Sequence, residues 1–102
     1  MKRFDVFTLK RNKSILALNI QADLFDDLST TIILPLYPTP KYKNEFVKRL
    51  RPFVTINEQE YVLGTTNMAS ISKSNLDKYV TNLENKYRDT IVDSLDFLFQ
   101  GF

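Results

Sequence analysis

The sequence contains no cysteine and no histidine. Without cysteine the chain can have no disulfide, no thiolate nucleophile and no metal site with cysteine ligands, and this absence is typical of a reducing cytoplasm. Without histidine it lacks the commonest general base and the commonest metal ligand. We therefore expect no catalytic residues, no metal site and no cofactor, and we interpret the protein as something other than an enzyme.

Charge and hydropathy disfavour two classes of partner. Fourteen basic and twelve acidic residues give a net charge of +2, which is too small to indicate direct binding of nucleic acid. The first residues, MKRFDVFTLKR, lack the apolar run of about 7 to 15 residues that marks a signal peptide. No stretch approaches the roughly 18 apolar residues of a membrane span. We expect one cytoplasmic domain over residues 1–102 with no membrane partner.

Most of the chain has the short apolar alternation of antiparallel strands. The predicted strands are Phe4–Leu9, Ile15–Ile20, Thr30–Leu36, Phe53–Ile56, Glu60–Thr66 and a short one within 67–72. We expect the first two to pair as a hairpin, and the fourth and fifth to be joined by a three-residue loop at 57–59. Pro35 should interrupt the third strand or leave it at an edge. One or two helical turns are expected within 44–52.

The C-terminal part has the period of an amphipathic helix, predicted over Leu83–Gln100. Thr81 and Glu84 match a capping box before it, and Gly101 suits a left-handed C-cap after it. The predicted buried stripe is Leu83, Tyr87, Ile91, Leu95, Leu98 and Phe102, widened by Val92 and Phe99. The sequence therefore predicts a mainly β fold with a C-terminal helix, of the α+β class.

Two features of the helix end are not explained by this stripe. Phe97 lies off the apolar arc, so it either covers a neighbouring loop or belongs to an exposed patch that binds a partner. Asp89, Asp93 and Asp96 form an acidic face that is usually just solvated. Since Asp93 and Asp96 lie near the negative end of the helix dipole, each costs about 0.3 to 1 kcal/mol. A basic partner is the alternative explanation for this face.

Two basic clusters and two acidic pairs remain. Lys10, Arg11 and Lys13 form one basic cluster, and the segment 41–51 forms another that is interleaved with aromatic residues. Such clusters can bind single-stranded nucleic acid or an acidic peptide, although most are solvated loops. The acidic pairs, Asp26 with Asp27 and Glu58 with Glu60, do not converge on an evident cleft, and each is typical of turns.

Six short blocks resemble, in order and at nearly fixed spacing, the CcdB family of plasmid and chromosomal toxins, which poison bacterial DNA gyrase. The blocks are Phe4–Phe7, Asn19–Leu24, Ile33–Leu36, Arg51–Ile56, Thr65–Ile71 and Ser94–Phe102. The most specific is Thr65–Ile71, TTNMASI. The similarity extends from one end of the chain to the other.

The resemblance implies a homodimer with the antiparallel, barrel-like sheet of the CcdB/MazF toxin type and a small strand appendage. It further implies that two copies of the helix end bind the DNA gyrase A subunit, while a CcdA-like antitoxin neutralises the toxin. Operator DNA would be bound only through the toxin–antitoxin complex, which represses its own operon. The implied gyrase-binding residues are Asp96, Phe97, Gln100, Gly101 and Phe102. The implied antitoxin-binding residues are Lys10, Arg11, Asn12 and Lys13.

Two positions depart from the family pattern. Gln100 stands where the family tail has a tryptophan that stacks against an arginine of gyrase, and Ser72 stands where the family has a proline. Two other functions therefore stay open. One is a ribonuclease of the MazF type, which would use arginine, aspartate and threonine. The other is a degenerate toxin that keeps antitoxin binding without poisoning gyrase.

Overall fold

The computed structural model describes residues 1–39 and 48–102. The first part of the helical turns predicted within 44–52, residues 44–47, lies outside the described residues, and residues 48–50 form a turn and not a helix. Within the described ranges, seven strands form one antiparallel sheet, and a long helix follows them. The elements are β1 Asp5–Leu9, β2 Leu16–Asn19, β3 Thr30–Pro38, β4 Phe53–Ile56, β5 Gln59–Leu63, β6 Ala69–Ser72, β7 Leu76–Asn82 and α1 Glu84–Gln100. This confirms the predicted fold class.

The sheet has the strand order β4-β5-β3-β2-β1-β7, and β6 also pairs with β3. The long strand β3 pairs with β2 along one side. Along its other side it pairs first with β6 and then with β5. The predicted hairpin of the first two strands is confirmed, with Phe7 opposite Ala17. The result is a curled half-barrel whose concave face is covered by α1.

Pro35 lies inside β3, so the prediction that it interrupts the strand or leaves it at an edge is wrong. It is opposite Ala17 on β2, and its carbonyl accepts the Gly64 N–H at 2.8 Å on the other side. Backbone N and O of one strand residue face the same neighbour. The N–H that proline lacks therefore falls where β3 changes partner from β6 to β5, and no ladder bond is lost.

The hairpin between β4 and β5 is tighter than predicted. Ile56 pairs with Gln59, so the loop contains two residues and not three. Both of them, Asn57 and Glu58, have positive φ angles, 51° and 67°, which is typical of a type I′ turn that matches the twist of the strands. The strand predicted over Glu60–Thr66 also ends early, at Leu63, because Thr65–Asn67 forms a short 3₁₀ turn.

Replacing Glu58 with glycine should stabilise the protein. A Cβ disfavours the left-handed region by about 1 kcal/mol, and glycine loses more chain entropy on folding. We expect a net gain of about 0.5 kcal/mol in the free energy of unfolding, measured by urea denaturation. Asn57→Gly is the matched control with a smaller gain, because asparagine tolerates this region better. A loss of stability in Glu58→Gly would contradict the type I′ turn.

The strand β7 was not predicted, and it explains why the predicted capping box is wrong. Thr81 is paired with Val6 of β1, so it belongs to the sheet and cannot cap the helix. The helix begins at Glu84, and its N–H donates to the side-chain oxygen of Asn82 at 2.8 Å. Asn82 in turn donates to the Asp5 carboxylate at 2.9 Å. Asparagine thus serves as the N-terminal acceptor that the pattern assigned to Thr81.

The core lies between α1 and the sheet. Its largest fully buried side chains include Phe4, Leu18, Leu34, Leu36, Leu63 and Ile91. The helix is also tied to the edge strand β4, because the Thr55 N–H donates to the Tyr87 hydroxyl at 2.9 Å. The stripe is confirmed at Leu83, Ile91 and Leu95, which are all buried. Within the described residues, no helix combines the length and the hydropathy needed to cross a membrane.

The prediction of a buried stripe is wrong at the C-terminal end of the helix. Phe99 is 70% exposed and Phe102 is 76% exposed. Phe99 lies only about 40° around the helix from the buried Leu95. Its exposure therefore means that this face of the last turn extends past the core. Phe102 follows the end of the helix, where helical spacing no longer applies.

Candidate functional site

The residues predicted to bind gyrase lie together at the C-terminal end of α1. Asp96 and Gln100 are exposed on the last turns, and Gly101 and Phe102 follow them. We call Asp93, Asp96, Phe97 and residues 99–102 the helix-end surface. It contains two exposed aromatic side chains, Phe99 and Phe102, an uncommon concentration of exposed apolar area for one helix turn.

Gly101 forms the left-handed C-cap that the sequence predicts. Its φ angle is 79°, and its N–H donates to the Phe97 carbonyl at 2.9 Å. A side chain would be strained at this φ, which is the physical reason for glycine here. The turn takes Phe102 out of the helical path and leaves its ring exposed.

Phe97 covers a neighbouring segment, which was the first of its two interpretations. The guanidinium of Arg49, from the turn before β4, lies 4.5 Å from the centroid of the Phe97 ring. Phe97 is half-buried as a consequence. A cation over an aromatic face is stabilised by the ring quadrupole.

The same guanidinium binds Asp93. Nε and Nη2 of Arg49 donate to the two Asp93 oxygens, each at 2.9 Å, in a bidentate ion pair. These hydrogen bonds hold the pKa of Asp93 below its ordinary value and, with the charge of Asp96, raise the pKa of Arg49. Both side chains are about half exposed, so solvent screens the ion pair and its contribution to the free energy of unfolding is small. Its main effect is to orient the two side chains.

The ion pair should be lost in acid. A carboxyl whose pKa is depressed on folding contributes stability above its unfolded pKa and loses it as the pH falls through the folded pKa. For Asp93 this window lies below about pH 4. A carboxyl-detected NMR titration should place the Asp93 midpoint below the midpoint in Arg49→Ala. Equal midpoints in the two proteins would contradict the bidentate contact.

The four residues predicted to bind an antitoxin form an exposed loop between β1 and β2. The Lys10 N–H donates to the Asn75 carbonyl at 3.0 Å, and Nζ of Lys13 lies 2.6 Å from the Asp77 carboxylate. The hydrogen bond from Lys13 lowers the pKa of Asp77. The loop is therefore fixed against the start of β7. Lys78 on that strand extends the basic surface, a contribution that only the β1–β7 pairing reveals.

A third surface was not predicted. Leu24, Phe25 and Leu28, in the connection between β2 and β3, are 83%, 49% and 52% exposed. The connection is held by its acidic residues: the Arg3 N–H donates to Asp23 at 2.7 Å, and Nζ of Lys73 lies 3.3 Å from Asp26. The acidic residues of this segment thus act in turn formation, as expected for Asp26. The sequence DLFDDL, in which apolar residues stand among acidic ones, is the pattern from which exposed apolar side chains could have been predicted.

The described residues contain no cluster of three or more acidic side chains placed to hold a metal ion. Every buried side-chain nitrogen and oxygen among them has a hydrogen-bond partner. The surfaces described above present exposed aromatic and apolar side chains and a basic loop, which are suited to contacts with another macromolecule.

Comparison with known proteins gives a family and a fold. A family model described as CcdB protein matches residues 3–101. An endoribonuclease in complex with its cognate antitoxin, from a mycobacterial species, has a TM-score of 0.78 at 13% identity, covering 97% of this chain and 94% of that chain. A second mycobacterial endoribonuclease has a TM-score of 0.74 at 13% identity, covering 97% and 90%. At this identity the two structures show a common fold alone.

Proposed function

The chain belongs to the CcdB family, and from that premise we propose that it is the toxin of a toxin–antitoxin module and that it poisons DNA gyrase by binding the gyrase A subunit. The family model matches residues 3–101, nearly the whole chain. In this proposal the protein acts by binding and not by catalysis. It is a homodimer that presents two helix-end surfaces to the dimerised arms of gyrase.

The observation that carries this proposal is the pair of exposed aromatic rings at the end of α1. Phe99 and Phe102 are the most exposed phenylalanines of the described chain. The hydrogen bond from Gly101 to Phe97 fixes the turn between them. Aromatic side chains held on a rigid element are the usual anchors of protein interfaces, because they bury a large area at a small entropic cost.

Gln100 changes how the partner is held. Glutamine offers no aromatic face to a cation, so it cannot replace a tryptophan that stacks on an arginine of gyrase. Phe97 is not a substitute, since its ring already carries the guanidinium of Arg49. We assign the anchoring role to Phe99 and Phe102, with Asp96, Gln100 and Gly101 as flanking contacts.

The basic loop supports the second half of the proposal, a CcdA-like antitoxin. Lys10, Arg11 and Lys13 are exposed, and Lys78 lies beside them on β7. An acidic, extended antitoxin segment would be attracted to such a surface. The toxin–antitoxin complex would then bind operator DNA through the antitoxin and repress the operon.

Titration calorimetry against the dimerisation arms of the gyrase A subunit tests the gyrase partner. We expect a saturable signal with one toxin dimer for each pair of arms, and a matching shift on size exclusion. An absence of heat and of any shift at tens of micromolar would remove gyrase as the partner. Expression without antitoxin, in a gyrase-resistant host and in a sensitive one, then separates the degenerate toxin from an active one: growth of both hosts indicates the degenerate form.

A ribonuclease is the second candidate, favoured by one contact. The Arg51 guanidinium donates to the hydroxyl of Thr66, on an exposed turn beside α1. An arginine paired with a threonine is the residue chemistry that a histidine-free ribonuclease would need, since arginine can stabilise the charge that develops on phosphate. RNA that stays intact at high protein concentration would remove this candidate. Cleavage that persists in Arg51→Ala would indicate a contaminant.

A further inference from the structure

The guanidinium group of Arg49 joins the end of α1 to the turn before β4. Arg49 donates through Nε and Nη2 to the Asp93 carboxylate, and its Cζ lies over the Phe97 ring. We propose that Arg49 is a positioning residue, which fixes the helix-end surface in the orientation that its partner binds. The identity of that partner rests on the proposed function, but the positioning itself does not.

The two contacts of Arg49 use different parts of the guanidinium. Two nitrogens on its edge bind Asp93 at 2.9 Å, and its Cζ lies 4.5 Å from the centroid of the Phe97 ring. Asp93 and Phe97 are four residues apart, so they are neighbours on one face of the helix. A planar group held by two hydrogen bonds and by a contact with a ring has little freedom to rotate. Lysine could keep the charge but neither the bidentate geometry nor the stacking plane.

The position of Phe97 is transmitted to the tail by one backbone hydrogen bond. The Phe97 carbonyl accepts the Gly101 N–H at 2.9 Å, and Gly101 then sets the direction of Phe102. A Cβ placed on Gly101 would meet no atom within 4 Å, so packing around this residue does not hold the turn. The bond to Phe97 is therefore the contact through which Arg49 can orient Phe102.

Charge gives Arg49 a second effect on the same surface. The last turn of α1 contains no basic residue, while Asp93 and Asp96 lie towards the negative end of the helix dipole. Arg49 supplies a positive charge from outside the helix and offsets this repulsion. Its loss would remove the ion pair of Asp93 and the nearby positive charge from Asp96, and it would favour fraying of the last turn, where Phe97 and Phe99 lie.

Arg88 offers a matched control on the same helix. Its guanidinium lies 3.5 Å from the Glu84 carboxylate and 5.7 Å from the Phe4 ring centroid. Its side chain is 51% exposed, and that of Arg49 is 46% exposed. Both arginines thus combine a carboxylate with an aromatic ring, but Arg88 does so at the first turns of α1. Arg88→Ala removes a comparable side chain without touching the helix end.

The first experiment measures the tail itself in the free protein. The chain has only two glycines, so ¹⁵N-glycine labelling gives one amide signal for Gly101 and one for the buried Gly64. We expect Arg49→Ala to accelerate solvent exchange at Gly101 about fivefold or more with Gly64 unchanged, Arg49→Lys to fall in between, and Arg88→Ala to change neither. Unchanged exchange at Gly101, or equal acceleration at both glycines, would overturn the inference.

The second experiment measures binding of the same four proteins to the gyrase A arms. Arg49→Ala should bind roughly tenfold more weakly, equivalent to about 1.4 kcal/mol. Arg49→Lys should recover only part of this loss, and Arg88→Ala should stay within about twofold of the native protein. If Arg49→Ala binds the arms as tightly as the native protein, the positioning role is overturned. It is also overturned if Arg49→Ala binds more weakly while the exchange rate of Gly101 is unchanged. If the native protein does not bind the arms, the proposed function fails and the exchange experiment alone decides the inference.

Discussion

Replacing Phe99 and Phe102 together with alanine should weaken binding to the gyrase A arms by at least about a hundredfold. Each ring is proposed as an anchor, and truncation of an anchor commonly costs about 2 kcal/mol, or roughly 30-fold in affinity. Since both are more than two-thirds exposed in the free chain, they contribute little to folding. The free energy of unfolding should therefore stay within about 0.5 kcal/mol of the native value.

The measurement is calorimetric titration of the two single variants and the double variant, with urea denaturation of each. Tyr79→Ala is the matched control, because Tyr79 is 59% exposed on β7, away from the helix-end surface. It should leave gyrase binding unchanged. If the double variant bound as tightly as the native protein, the helix end would not be the gyrase-binding surface. If it lost stability by several kcal/mol, the two rings would be packed and not exposed.

The exposure of Phe99 shows what helical periodicity cannot predict. The 3.6-residue period correctly predicted that Leu83, Ile91 and Leu95 are buried, because the spacing reports which face of the helix meets the sheet. It could not show where the core stops along the helix axis. That boundary is set by the lengths of the strands beneath, which come from distant parts of the chain, so Phe99 was predicted buried although its ring is in solvent.

Long-range pairing explains the other differences. Five strands, β1 to β4 and β6, were predicted within about two residues of their observed bounds, since their alternation records local burial. The strand β7 is at the end of the strand order and exposes Asp77, Lys78 and Tyr79, so its apolar signal is weak. Its partner β1 is distant in sequence, with Lys78 and Thr8 70 residues apart. The contact between Arg49 and Asp93 joins residues 44 apart. No local pattern predicts which arginine reaches which carboxylate.

The resemblance contributed what the patterns could not. Periodicity predicted a sheet with a C-terminal helix, but six ordered blocks were needed to indicate the family, which the match over residues 3–101 confirms. The blocks report backbone positions as much as side-chain chemistry. Block Ile33–Leu36, for example, contains Pro35 in the middle of β3. The residue before block Thr65–Ile71 is Gly64, whose N–H donates a hydrogen bond to the Pro35 carbonyl.

That contact leads to the second large effect, the replacement of Gly64 with alanine. A Cβ on Gly64 would lie 2.7 Å from Cε2 of Tyr37, 2.9 Å from Cγ of Pro35 and 3.0 Å from the Pro35 carbonyl oxygen. The proline ring and the backbone cannot rotate away, so β3 and β5 would have to separate. Overpacking of this kind costs about 1 to 3 kcal/mol, and we expect a value near the upper end.

A loss of about 2 to 3 kcal/mol is a large part of the stability of a domain of this size, about 5 to 15 kcal/mol. It should lower the melting temperature by roughly 10 to 20 °C. The displacement would also reach the helix, since Thr65 follows directly and its hydroxyl donates to Ser94 of α1 at 3.4 Å. Urea and thermal denaturation of the purified variant measure both the loss of stability and the cooperativity of unfolding.

Gly101→Ala separates steric from conformational effects. Its Cβ would meet no atom within 4 Å, but its φ of +79° would strain any side chain, which costs about 1 kcal/mol. Gly64 has an ordinary φ of −84°, so its cost comes from close approach and not from the backbone conformation. Gly64→Ala should consequently lose at least twice as much stability as Gly101→Ala. Equal losses would mean that separating β3 and β5 at Pro35 costs no more than the strained φ of Gly101→Ala.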